Sequence, residues 1–326
     1  MRPSPASVGP ASASSLAIVL ALAAVYLIWG STYLAIRFAL EGGWPPLLMG
    51  GIRFLFAGAL LYAVLRLRGV AAPTRAQWRN AAFMGLLLLA VGNGLVCIAE
   101  QTVSSGLAAV AVASTPLWMG LFAALRGEHP RRIEWIGLAI GFIGVAWLNA
   151  GGSLRATPGG LVALLVAAAA WAYGSIWSRG RDLPSPFMTA AAQMLCGSAL
   201  MLVAGLALGE RFAGWPTLRG LLSVGYLASF GSIVGFSAYV WLLHHVRPAL
   251  AGSNAYVNPV IAVLLGAWLA GERFAAHDLG AAALRVLARV IATTPSSTTP
   301  IAPRSCAAKR SPASQAPSST AITGFT

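Results

Sequence analysis

Runs of mainly apolar residues, each about long enough to cross a bilayer, constrain this chain more than any motif it carries. Nine fall near 15–37, 47–66, 78–98, 106–125, 133–149, 160–178, 187–208, 219–242 and 250–270, and a tenth candidate starts near Asp278. A helix of about 20 such residues spans the hydrocarbon core, and there it satisfies its own backbone hydrogen bonds. The expected fold is therefore all-α: a polytopic membrane protein of about ten transmembrane helices. Only 9% of the residues are charged, against about a quarter in a soluble domain. The net charge of +14 does not point to nucleic acid, because no basic-aromatic patch accompanies it. The arginines lie between apolar runs or in the tail, where they act as orientation signals and lipid headgroup contacts.

Those arginines are divided unequally between the two sides. Arg66, Arg68, Arg75 and Arg79 separate the second and third runs, and Arg126, Arg131 and Arg132 follow the fourth. Arg179 and Arg181 follow the sixth run, and Arg247 follows the eighth. The opposite side holds Arg37, Arg155, Arg211, Arg219 and Arg273. The richer side is expected to be cytoplasmic, which puts the N-terminus inside a bacterial-type inner (plasma) membrane. The first run is read as a retained span: it is too long for a signal peptide, and Trp29-Gly30-Ser31-Thr32-Tyr33 offers no small-x-small cleavage site. Residues 1–14 are expected to be disordered.

The chain also repeats itself. The segment "YLIWGSTYLAIRF" has an echo in "AWAYGSIWSRGR", and the glycines Gly30 and Gly174 stand 144 residues apart. Gly92 and Gly235, Pro116 and Pro259, and Gly137 and Gly280 each stand 143 apart. Three landmarks at one offset, and a fourth within one residue of it, imply two copies of a five-helix unit, over 15–150 and 155–292. An odd number of spans per copy makes the second cross the membrane the other way round. Inverted repeats of this kind favour a transporter with its substrate site near the midplane between the halves.

The segments "WPPLLMGGIRFLFAG", "LYAVLRLRG", "LLLLAVGNGLV", "YVNPVIAVLLG" and the "GER" that follows the ninth run resemble the drug/metabolite transporter superfamily, and within it the EamA branch. The resemblance runs from about Leu22 to Leu284. It implies a ten-helix bundle with both termini in the cytoplasm, and export of small metabolites, amino acids or drugs.

Polar and aromatic residues within spans are the candidate site. Lipid-buried charge is costly, so an intramembrane ionisable residue is a functional candidate. The acids Glu41, Glu100, Glu128, Glu134, Asp182, Glu210, Glu272 and Asp278 all fall at span ends or in connections, which gives no support to a midplane proton relay. Arg53 lies inside the second span. Either it faces the bundle, pairing with Glu100 or meeting a substrate carboxylate, or it snorkels to the headgroups. If it serves transport, Arg53→Ala abolishes transport without loss of expression. Trp29, Trp171, Tyr239 and Tyr256 lie deep enough to line an aromatic cavity or to pack as belt residues, whereas Tyr33 and Trp177 sit where belts form. Asn93, flanked by Gly92 and Gly94, and Asn258 are candidates for substrate binding, while Ser31, Thr32, Ser175 and Ser237 suit helix bridging. Pro116 and Pro259, inside the fourth and ninth spans, are either matched hinges or static kinks. The Gly137-x-x-x-Gly141 pattern speaks for close packing only.

No GxSxG, HExxH, phosphate-loop or dinucleotide motif is present, so the chain is not read as an enzyme. No cofactor or metal is expected. Cys97, Cys196 and Cys306 have neither paired nor ligand-like spacing, and His244-His245 reads as an interfacial pair. The end of the chain breaks the pattern, since Arg285 and Arg289 stand where the first copy has Phe142 and Ala146. Two readings follow: these arginines face the interior or snorkel, or the reading frame shifts near Leu284. Residues 293–326 are Ser/Thr/Pro/Ala-rich and are expected to be disordered. The expected partners are a small-molecule substrate and the lipid bilayer, and oligomeric state is left open. A sugar-phosphate or lipid-linked translocator, and a non-functional copy with a shifted C-terminus, are the rival readings.

Overall fold

The computed structural model describes residues 14–128, 135–136 and 157–270. Its elements are α1 (Ser15–Glu41), α2 (Pro46–Leu67), α3 (Arg75–Ala99), α4 (Ser105–Val112) and α5 (Thr115–Leu125), then α6 (Pro158–Trp177), α7 (Pro186–Ala207), α8 (Leu218–His245), α9 (Pro248–Ala251) and α10 (Asn254–Ala270). Among the described residues there is no strand. Six helices (α1, α2, α3, α6, α7 and α8) are long and apolar enough to cross a membrane, and α5 is a shorter apolar helix. The expected tenth span, the fifth apart from residues 135–136, the Gly137 to Gly141 face, Arg285, Arg289, Cys306 and the tail lie outside the described residues.

Helix boundaries follow local chemistry. Proline opens α2, α6 and α7, where its missing N–H costs nothing. Thr74 and Gln77 form a reciprocal capping box at the start of α3, satisfying two orphan amides. Thr157 and Thr217 accept from the amides of Gly160 and Gly220 at 3.1 and 3.2 Å. Gly69 and Gly209 stop α2 and α7 in the left-handed region, with φ 79° and 78°. The Val70 amide then reaches Leu65 O, and the Glu210 amide reaches Gly205 O, the paired closure that such a glycine permits. This turn also aims the Glu210 carboxylate at α2. Its Oε1 and Oε2 accept from the amides of Leu47 and Leu48 at 3.0 and 2.8 Å.

Two departures from regular helix matter for the site. In α3 between Gly85 and Asn93, and in α8 between Leu227 and Phe236, the turns widen to i→i+5 hydrogen bonding. Wide turns of this kind are often found at functional sites. The runs expected as the fourth and ninth spans are also broken, at Ala113–Ser114 and at Gly252–Ser253. Pro116 was expected mid-helix but stands in the first turn of α5. Its missing amide falls just after the Ala113–Ser114 break, among those that a helix start leaves without an intrahelical partner. Pro259 does lie inside a helix, α10.

The bundle is held by close crossings. The most extensive helix pair is α2 with α7; α1 packs on α10 and α8, and α6 on α3, α4 and α5. A Cβ added at Gly85 would lie 2.6 Å from Gln193 O and 2.8 Å from the Gly197 amide, so α3 and α7 meet backbone to backbone. Small residues drive such contacts where no hydrophobic effect separates helix from lipid. Leu16, Val19, Leu20, Phe56, Val203, Leu206 and Phe230 are exposed on the outside, as lipid-facing side chains should be.

Candidate functional site

At the centre of the bundle Trp29 of α1, Trp171 of α6, and Phe236 and Tyr239 of α8 form a cluster of T-shaped and tilted ring pairs. Trp29 and Trp171 are T-shaped at 5.4 Å between centroids, Trp29 and Tyr239 lie at 5.0 Å, and Trp171 and Phe236 at 6.0 Å. The indole N–H groups are already used. Trp29 Nε1 donates to Gly231 O at 3.1 Å, and Trp171 Nε1 donates to the Tyr239 hydroxyl at 2.9 Å, which also bonds Ser175 Oγ at 2.9 Å. Two glycines make room for the rings. A Cβ at Gly92 would stand 3.1 Å from Trp171 Cε3, and one at Gly235 only 2.6 Å from Trp29 Nε1. These glycines lie in the wide turns of α3 and α8, 143 residues apart.

The cluster forms one wall of a cavity of about 80 Å³. Its lining also includes Thr32, Tyr33, Ile36, Arg53, Phe54, Asn93, Val96, Thr115, Asn254 and Asn258. Asn93 and Phe236, Val96 and Tyr239, and Thr115 and Asn258 are all lining pairs 143 residues apart. Positions 143 residues apart thus face one space but carry different chemistry.

The polar side of the cavity centres on Arg53, which is 3% exposed. Its Nη2 donates to Asn93 Oδ1, and its guanidinium lies 4.4 Å from the centroid of the Phe54 ring. Asn93 Oδ1 also accepts from Cys97 Sγ at 3.6 Å. Arg53 therefore faces the bundle and does not snorkel. The ion pair with Glu100, one of the alternatives for Arg53, is not formed in this conformation. Glu100 is buried just past the end of α3, and neither of its carboxylate oxygens has a hydrogen-bond partner. Seven residues of helix separate Asn93 from Glu100, about 10 Å of rise, so a guanidinium held by Asn93 does not reach it. Arg53 Nε and Asn258 Oδ1 are likewise buried without a partner.

Comparison with known proteins settles the family. The EamA-like transporter family matches twice, over residues 15–150 and 158–294. This chain belongs to the EamA-like transporter family. It is 48% identical over 274 residues to the uncharacterized inner membrane transporter YedA of Escherichia coli (strain K12), covering 84% of this chain and 89% of that one. It is 28% identical over 251 residues to the uncharacterized transporter YvbV of Bacillus subtilis (strain 168), covering 75% and 81%. A crystal structure shares the fold, with a TM-score of 0.69 over 86% of this chain and 98% of that one at 22% identity. The chain is accordingly a membrane transporter of the EamA type, an integral membrane protein that handles a small molecule.

In this EamA protein the cavity gathers Trp29, Arg53, Asn93, Trp171, Tyr239 and Asn258 from the residues singled out in the sequence. The backbone of Tyr256 lies in α10, but its side chain is outside the described residues. Trp177 instead packs on Phe83 with centroids 4.5 Å apart, under Arg181 at 4.5 Å. Ser31 bonds the Tyr226 hydroxyl at 2.6 Å, a bridge from α1 to α8. Sequence reasoning missed Phe54, Phe236, Thr115 and Asn254 as lining residues. The 143-residue offset points to two of them, since Phe236 answers Asn93 and Thr115 answers Asn258. No group of three or more His, Cys, Asp or Glu side chains among the described residues is placed to hold a metal.

Proposed function

We propose that this chain is an inner-membrane carrier, with its N-terminus cytoplasmic, that exports small metabolites, amino acids or drug-like compounds. It works by alternating access between two inverted five-helix repeats, ten spans in all. The observation that carries this reading is the cavity lined by corresponding positions of both copies, at Asn93/Phe236, Val96/Tyr239 and Thr115/Asn258. A site at the interface of two inverted halves can be reached from either side as one half rocks against the other. The wide turns at matched places in α3 and α8, and the breaks in the fourth and ninth spans, supply irregular backbone next to that site. In a bilayer such backbone is tolerated only inside protein or beside a cavity.

The test is counterflow. The full chain is reconstituted in liposomes preloaded with mixed amino acids, and labelled amino acids are offered one at a time. Accumulation that is lost in Asn93→Ala or Trp171→Ala supports a carrier whose site is the cavity. Accumulation that persists unchanged in both variants removes the cavity as the site.

A further inference from the structure

We infer that the cavity selects a small organic carboxylate that also carries an N–H or O–H donor, with Arg53 binding the carboxylate and Asn258 the donor. The inference rests on the carrier reading for how the ligand moves, but not for what the cavity binds.

The argument starts from what is left unmet. A guanidinium has five N–H donors and no acceptor. Arg53 gives one nitrogen to Asn93, leaves Nε without a partner, and makes no ion pair with a carboxylate among the described residues. A cation buried in a membrane bundle is costly unless it is paired. The nearby buried acid, Glu100, does not bond to it. Among the described residues no carboxylate is bonded to Arg53, so an anion that enters the cavity Arg53 lines would complete it. Asn93 does not supply the acceptor for the ligand's donor, because its Oδ1 is taken by Arg53 and Cys97. It holds the guanidinium in place.

Asn258 presents the complementary need. Its Oδ1 is an acceptor, the residue is 3% exposed, and the atom has no partner. A ligand with a carboxylate at one point and an N–H or O–H at another satisfies both residues at once. The tryptophans offer only ring faces, since both indole N–H groups are bonded within the protein. They therefore suit an apolar body between the two polar ends. The charge count narrows the class further. A single guanidinium matches a monoanion, whereas a phosphate ester carries close to two negative charges near neutral pH. An amine without a carboxylate would face Arg53 as a like charge, an arrangement that costs several kcal/mol.

The experiment uses the purified full chain and five probes that share one branched aliphatic tail. They are L-leucine, 2-hydroxy-4-methylpentanoate, 4-methylpentanoate, L-leucinamide and 3-methylbutylamine. Binding is read by equilibrium dialysis, and transport by counterflow of the same probes. L-leucine and the hydroxy acid should bind, 4-methylpentanoate about tenfold more weakly for want of the donor, and the two cations not measurably. Arg53→Gln should weaken the hydroxy acid roughly 30-fold or more, with Arg53→Lys recovering part of the loss. Asn258→Asp, close to isosteric, should reject carboxylates while the thermal transition of the apo protein stays in place, which separates a charge effect from misfolding.

Binding of 3-methylbutylamine as tight as that of L-leucine, unchanged hydroxy-acid affinity in Arg53→Gln, or no binding by any carboxylate of the five overturns the inference. Carboxylate binding without counterflow upholds the inference and removes the carrier reading. Counterflow of the amine in preference to the acids does the reverse.

Discussion

Gly235→Ala tests whether the wide turn of α8 exists to seat Trp29. The added methyl would lie 2.6 Å from Trp29 Nε1 and 3.0 Å from its Cδ1. Ordinary contact begins near 3.4 Å, so the indole must retreat by about 0.8 Å, well inside the steep wall of the contact potential. That retreat strains the 3.1 Å hydrogen bond to Gly231 O and the T-shaped packing on Trp171. The bond is worth about 1 kcal/mol, the ring pair about 0.5–1.5, and overpacking adds about 1–3. The terms overlap because they share one side chain, so a net loss of about 2 kcal/mol is expected, or roughly 30-fold in affinity for a ligand resting on that ring. Gly92→Ala would meet Leu87 O at 3.0 Å and Trp171 Cε3 at 3.1 Å, contacts that need a shift of about 0.4 Å where Gly235→Ala needs about 0.8, and should cost less than about tenfold. Gly225→Ala, in the same helix α8 but with nothing within 4 Å, is the control and should leave binding unchanged. Equilibrium dialysis with the tightest probe, together with the thermal transition of each variant, gives the ranking. If Gly225→Ala is as damaging as Gly235→Ala, or Gly235→Ala is silent, the wide turn does not serve Trp29 and the reasoning fails.

Three further outcomes follow from the packing. Gly85→Ala should destabilise the bundle by about 1–3 kcal/mol, because its methyl meets backbone atoms of α7 that cannot step aside; unfolding in mixed detergent would register this. Glu210→Gln should cost about 1 kcal/mol of stability as the first turn of α2 loses a charged acceptor, and Glu210→Leu should cost more; equal transitions for wild type and Glu210→Leu would show that the cap is idle. Tyr239→Phe removes the partner of both Trp171 Nε1 and Ser175 Oγ. It should lower stability by about 1–2 kcal/mol and shift the tryptophan emission of the protein, and an unchanged spectrum would contradict the bond to Trp171.

Span positions were legible because the bilayer fixes both length and polarity: the run read at 187–208 is α7 at Pro186–Ala207. The site residues were partly legible for the same reason. Arg53, Asn93 and Asn258 are conspicuous in an apolar background, and a residue that is costly in lipid has few places to point other than inward. What escaped was the rotation of each helix about its axis, which depends on the partner and not on the helix itself. Phe54 and Phe236 look like any lipid-facing phenylalanine until α2, α8 and α1 are brought together. The sequence offers Arg53 three fates, a pair with Glu100, a substrate carboxylate or the headgroups, but Asn93 is nearer along α3 than Glu100 and holds the guanidinium. The break at Ala113–Ser114 was hidden because Pro116 reads equally as a kink or as a helix start.

The wide turn in α3 has a consequence for insertion and deletion. Each residue of a regular helix advances the side-chain direction by about 100°. The i→i+5 stretch from Gly85 to Asn93 takes up an extra residue, so the faces before and after it are out of phase by about that angle. Gly85 is thereby turned to α7, while Asn93 and Cys97 turn to Arg53. Deleting one residue between Leu86 and Leu89 would let the helix close into an ordinary α-ladder with no loss of backbone bonding, and Asn93 and every residue after it would keep their aim at the cavity. Deleting one in the regular stretch between Arg75 and Met84 would instead turn the residues before it by about 100° against those after it. The wide turn is thus the one place in this span where a residue can be lost without changing the address of the next.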